Sequence, residues 1–166
     1  MRTLDPKSLQ LHPFSALDDR WALLVAGVDR PNPMTVSWGG FGTVWNLPVI
    51  TVYVRPTHHT FGLLSSTPEF TLNFLPEGRR DALDVCGSAS GRDGDKWGLA
   101  RVRPAPSTKV RVPRVAEAVM TFECRLLATV DLDPARFADP SLLEHYPASD
   151  FHRAFLGEVV ALLAPE

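Results

Sequence analysis

Cysteine, excess charge, long apolar runs and a leader-like N-terminus are all scarce or missing in this chain. Its two cysteines, Cys86 and Cys124, are too few for a disulfide scaffold or a structural zinc site. The net charge of −2 leaves no electrostatic footprint for a nucleic-acid partner. No apolar run approaches the roughly 20 residues of a membrane-crossing helix, so no membrane partner is expected. Met1–Pro6 lacks the apolar core of a secretory signal, and the expectation is a cytoplasmic protein. The five histidines, His12, His58, His59, His145 and His152, lack metal-ligand spacing. His58 and His59 are adjacent and would point apart in any regular element, so no metal site is expected. No Gly-x-Ser-x-Gly elbow occurs. Gly40-Phe41-Gly42-Thr43-Val44-Trp45 fails as a dinucleotide fingerprint, because Trp45 stands where the third glycine belongs and no crossover helix follows.

What is present is proline and short apolar runs. Fifteen prolines suit short strands and turns better than a helical bundle. At 166 residues with 45% apolar side chains, one domain spanning 1–166 with a full core is the natural expectation. Trp21–Val28 is a nearly continuous apolar run that reads as a buried strand. Asp29–Pro33 is a turn. Met34–Trp38 then runs as a strand, so 21–38 reads as a hairpin that opens into a glycine-rich loop, Gly39–Trp45. Leu47–Val54 is a β-branched strand. A short helix is expected from Thr57 or His58 to about Ser65, with Thr57 as candidate N-cap. Glu69–Leu75 alternates with period two and reads as a strand. Glu77–Cys86 suggests a helix, and Gly87–Trp97 is too polar and glycine-rich for regular structure. Lys109–Val112, Val115–Thr129 and Phe155–Leu163 complete the strands, with loop and a little helix over Pro134–Tyr146. The tally is about six strands and few helices, joined by short turns, which indicates an antiparallel barrel and not a parallel doubly wound sheet.

Four segments could carry chemistry. In the first, Thr35, Ser37 and Gly39 alternate with Val36, Trp38 and Gly40, giving one hydroxyl-bearing face suited to a flat polar ring. The second is Arg55-Pro56-Thr57-His58-His59-Thr60, where a helix start, two hydroxyls and a guanidinium fork suit an anion. The same residues are equally consistent with a helix cap beside a surface arginine. The third, 86–97, has small residues and Lys96 that could wrap a ligand, or be a solvated connection. Cys86 is a thiolate candidate or a small buried apolar residue. Finally, His152 precedes the last strand, as a site histidine or as a capping group.

In order along the chain, five blocks resemble the flavin reductase-like family of FMN-binding split barrels, in particular its flavoredoxin-like branch. They are Asn32–Trp38, Val54–Thr60, Phe70–Phe74, Cys86–Lys96 and Phe151–Val159, covering about residues 20 to 160. The resemblance implies a mainly β, Greek-key-like split barrel with a few short helices. It also implies a homodimer with FMN near the subunit interface. Met34, Thr35, Ser37 and Trp38 would line the isoalloxazine. Arg55, Thr57 and Thr60 would hold the phosphate. Asn73 and Phe74 would border the ring, and Cys86, Gly87, Ser90 and Lys96 would close over the flavin. His152 matches a histidine that lies near the nicotinamide in flavin reductases. The implied activity is electron transfer from NAD(P)H through FMN to a small-molecule or protein acceptor. The alternative is an FMN-binding electron carrier without its own nicotinamide step. The two extra glycines and Trp45 in Gly39–Trp45 depart from the family pattern and would reshape the substrate side.

Overall fold

A computed structural model describes residues 1–165. In chain order the elements are β1 (Arg2–Leu4), α1 (Ser15–Asp18), β2 (Ala22–Ala26), β3 (Asn32–Val36), β4 (Gly39–Val44) and β5 (Leu47–Val54). They continue with α2 (His59–Ser66), β6 (Glu69–Phe74), α3 (Arg80–Ser88), α4 (Lys96–Ala100), β7 (Pro104–Ala105), β8 (Arg114–Val115), β9 (Met120–Asp131) and β10 (Arg153–Ala164). Eight strands form one antiparallel sheet in the order β3-β2-β6-β9-β10-β5-β4, with β1 on β10, while β7 and β8 pair separately. The expected mainly β split barrel with few helices is the fold observed.

β2 is buried on both faces, which explains its unbroken apolar sequence. Leu24 faces a barrel core that includes Phe70, Phe74, Phe122 and Phe155, whereas Leu23 and Val25 pack under α3 with Leu83, Cys86 and Val115. The 12-residue strands β9 and β10 shift register at Leu156/Gly157 and Val159/Ala161, and such bulges let a long pair curl. At the first shift the Phe70 ring lies against Gly157, where a Cβ would sit 2.5 Å from a ring carbon.

Several expectations need correction. Gly39–Val44 is a strand paired with β5, not a loop. The reversal is confined to Trp45 and Asn46, both at positive φ (52° and 60°), as in a two-residue hairpin turn. Thr57 does not cap α2; His58 occupies that position without a side-chain cap. The helix read over 77–86 runs from Arg80 to Ser88. The polar 87–97 segment ends in α4, whose cap Asp95 accepts from the Trp97 and Gly98 N–H groups. No strand forms over 109–112. There Glu123 accepts the Thr108 and Lys109 N–H groups at 2.8 and 2.6 Å, and Glu69 accepts that of Arg111. Val115 belongs to β8, so the long strand starts at Met120.

Candidate functional site: a groove along the outer face of strand β3

β3 is an edge strand whose alternation sorts its side chains. Met34 and Val36 are buried in the barrel, and Thr35 faces α3, where its hydroxyl donates to the Leu83 carbonyl. α3 covers β2 and part of β3, and leaves a groove between its C-terminal end and the β3 edge.

Three hollows follow this edge. The first, about 270 Å³, is lined by Asn32, Met34, Thr35, Thr57, His59, Thr60, Cys86, Gly87, Ser90, Arg92 and Lys96, among others. The second, about 420 Å³, shares Thr35, Gly87 and Ser88 with the first and adds Trp21 and Ser37. The third, about 730 Å³, shares Ser37 with the second and adds Trp38, Tyr53, Phe137 and Tyr146. The shared walls make one run from a polar end to an aromatic end.

The polar end is built for an anion. The first turn of α2 has no side-chain cap; Phe61 N–H donates to the His58 carbonyl at 3.1 Å, which leaves the His59 and Thr60 N–H groups and the helix dipole at this end. Thr60 is fully buried, and its oxygen accepts from Asn32 Nδ2 at 2.9 Å, which leaves its proton to be donated. Lys96, 4% exposed, donates to the Cys86 carbonyl at 2.6 Å. Arg92 donates to the Thr57 carbonyl at 3.0 Å. The positive field shows in the histidines. Burial first, then Arg55, Lys96 and Arg92, lower the His58 pKa against an opposing Asp150, while burial, Arg92, Arg30 and Lys96 lower that of His59. Lys96 is itself pulled down by burial. Gly91 closes this end tightly; a Cβ there would fall 2.0 Å from Asn32 Oδ1 and 2.9 Å from His59. The Cys86 thiol is pushed up to about 11 by burial, so it is an apolar filler and not a thiolate nucleophile.

The residues expected at the site divide. Met34, Thr35, Ser37, Trp38, Thr57, Thr60, Cys86, Gly87, Ser90 and Lys96 all line the run. Arg55, Asn73, Phe74 and His152 do not. Arg55 donates to Asp150 at 2.7 Å and to the His145 carbonyl at 2.9 Å, and Thr57 also donates to Asp150, at 3.2 Å. Asn73 is buried in the sheet with four partners: it donates to Leu23 O and Thr71 Oγ1 and accepts from Val115 N–H and Thr121 Oγ1. Phe74 is fully buried in the core, edge-on to Phe122. His152 lies behind the wall, with Trp38 at 5.1 Å and Tyr53 at 6.4 Å between ring centroids. Its Nδ1 shares a 2.9 Å hydrogen bond with the Tyr146 hydroxyl. Asn32 and Arg92 were missed as site residues, although both stand in the quoted blocks. Their partners, Thr60 and the Thr57 carbonyl, lie 28 and 35 residues away.

Burial, then Arg55 and His58, lower the His152 pKa to about 4 against an opposing Asp150. An unfolded histidine titrates near 6.5, so between about 6.5 and 4 the unfolded chain binds a proton that the folded one refuses. The His152 contribution is fully present above 6.5 and is lost as pH falls through this window, to a total of about 3 kcal/mol. Urea unfolding at pH 7 and 4.5 should show a smaller acid loss for His152→Gln than for the parent. An equal loss in both would mean that His152 titrates normally.

Against this geometry the comparisons are consistent. The flavin reductase like domain family matches residues 20–166. A split barrel domain from Shewanella frigidimarina superposes with a TM-score of 0.70 at 17% identity, covering 89% of this chain and 67% of that one. The chain therefore folds as a split barrel, and it belongs to the flavin reductase like domain family. Flavoredoxin from Methanosarcina acetivorans gives a TM-score of 0.69 at 24% identity, covering 100% of this chain and 76% of that one. An FMN-binding protein from Thermus thermophilus with bound p-hydroxybenzaldehyde gives 0.68 at 26% identity, covering 100% and 83%. An uncharacterized protein from Archaeoglobus fulgidus is 26% identical over 112 residues, or 68% of this chain. The match spans 63% of the length of that relative. Among the described residues no helix is long and apolar enough to cross a membrane.

Proposed function

We propose that the β3 groove binds FMN and that the protein is an oxidoreductase passing electrons from NAD(P)H to a small-molecule or protein acceptor. In this proposal it works as a homodimer in the cytoplasm. The observation that carries the reading is the graded run itself. A cationic, hydroxyl-rich hollow at the start of α2 continues into a slot against Thr35, Ser37 and Gly87.

The phosphate fits Thr60, Ser90, Arg92, Lys96 and the His59 and Thr60 N–H groups at the start of α2. The close approach of Gly91 to Asn32 and of Gly87 to Thr35 leaves a backbone-lined surface that a Cβ would fill. The ring fits beside Thr35 and Ser37. The Thr35 proton is committed to Leu83, so Thr35 can only accept there, while Ser37 remains a donor. The bound flavin would supply the hydride and electron chemistry, and the protein supplies binding, orientation and electrostatics. His152 acts here through Trp38 and Tyr146, which it holds from behind. Arg55 and Thr57 act through Asp150, tethering the 145–150 segment to the end of β5.

Lys96→Met should weaken FMN binding by about 1.5–3 kcal/mol, or about ten- to 150-fold, and leave riboflavin binding unchanged, because riboflavin lacks the phosphate. Arg55→Ala should change FMN affinity by less than about tenfold. A larger loss would mean that Arg55 leaves Asp150 to join the phosphate. Flavin fluorescence titration reads both. The electron-carrier reading is favoured by one observation, the seclusion of His152 behind Trp38. Anaerobic mixing with NADH and NADPH separates the two: bleaching of the bound flavin supports the reductase, and bleaching by dithionite alone supports the carrier.

A further inference from the structure

The third hollow differs chemically from the other two. Six of its walls are Phe14, Trp38, Tyr53, Phe137, Leu142 and Tyr146. Phe14, Trp38 and Leu142 are 84%, 44% and 45% exposed, a concentration of apolar surface at one opening. The aromatic wall is held in place from behind. Tyr146 is pinned by its hydroxyl to His152, by the Phe151 ring at 4.7 Å and by the Arg55 guanidinium at 5.0 Å. Phe137 stands edge-on to Tyr146 and Phe151, and Trp38 edge-on to His145. A wall fixed in this way loses little freedom when a ring settles on it.

Charge narrows the occupant. Neither lysine nor arginine lines the hollow; its lining includes the Asp18 carboxylate and the His145 ring, which packs edge-on against Trp38. The guanidinium behind it, Arg55, is paired with Asp150. A buried carboxylate or phosphate would therefore be desolvated with no lysine or arginine to meet it, and an ammonium would find only an exposed carboxylate, a weak partner. A volume of about 730 Å³ lies in the range of small-molecule sites. We propose that this hollow is a second binding site, adjoining the β3 groove at Ser37, and that it takes an uncharged aromatic small molecule. Its place as the substrate side rests on the flavin reading; the binding itself does not.

The test uses the full chain saturated with FMN and two probes of matched shape, p-methoxybenzamide and p-methoxybenzoate, followed by calorimetry. The amide should bind one to one and at least about tenfold tighter than the carboxylate. Phe137→Ala and the more exposed Leu142→Ala should each weaken it about two- to tenfold, with FMN affinity unchanged. Equal binding of the carboxylate overturns the inference, as does indifference to both substitutions. It is also overturned if the amide fails to bind while sedimentation shows a dimer that Phe14→Ser dissociates, since a second copy would then fill the hollow. FMN titration of the same sample keeps the two readings apart. Amide binding without FMN binding sinks the flavin reading alone, and FMN binding without amide binding sinks this one alone.

Discussion

Asn73→Ala should cost at least about 3 kcal/mol of folding stability, because it strands four buried partners, each worth about 1–3 kcal/mol when left unpaired. The Leu23 carbonyl, the Thr71 hydroxyl, the Val115 N–H and the Thr121 hydroxyl all converge on this one amide. On β6, Asn73 adds side-chain bonds to the ladder neighbours β2 and β9 and ties in β8, which pairs with neither, so its loss loosens the sheet beneath α3. Urea unfolding measures the loss. Flavin affinity measured on the folded fraction should stay within about threefold of the parent. A stable variant with lost flavin affinity would restore Asn73 to the ligand set.

Gly91→Ala should weaken FMN binding by about five- to 150-fold, the equivalent of the 1–3 kcal/mol typical of overpacking. The added carbon would lie 2.0 Å from Asn32 Oδ1, inside any contact distance. Relief requires moving either Asn32, which holds Thr60, or the Ser90–Arg92 turn. Both line the phosphate end. Gly94→Ala is the control, since a Cβ there meets nothing within 4 Å. Flavin fluorescence quenching in the two variants should therefore diverge. Equal affinities would show that the turn is not part of the site.

Local pattern and tertiary context divide cleanly in this chain. β5 was legible to the residue because Leu47–Val54 is β-branched and apolar throughout; the β2–β3 hairpin was legible in kind but not in bounds, since Asn32 and Pro33, expected in the turn, pair with Ala26 and Val25 inside β3, which ends at Val36. β4 was hidden by Gly39, Gly40 and Gly42, which have poor strand propensity; its pairing with β5 overrides them. α4 did carry a local signal, Asp95 ahead of two N–H groups that it caps. That residues on and just after β3, at the start of α2 and over 86–96 line one run of hollows was legible because adjacent positions share one surface. Arg55 and His152 could not be placed, since Asp150 and Tyr146 reach them from a loop whose course no periodicity fixes. The burial of Asn73 away from the hollows was hidden for the same reason: three of its four partners, Leu23, Val115 and Thr121, are distant in sequence.

The central claim is that the β3 groove is an FMN phosphate-and-ring site. The most direct measurement is titration of the purified protein with FMN and with riboflavin, followed by flavin fluorescence in the parent and in Lys96→Met. Saturable quenching by FMN, weaker binding of riboflavin, and collapse of that difference in Lys96→Met are the predicted results. Absence of quenching by FMN, or equal affinity for FMN and riboflavin in the parent, would contradict it.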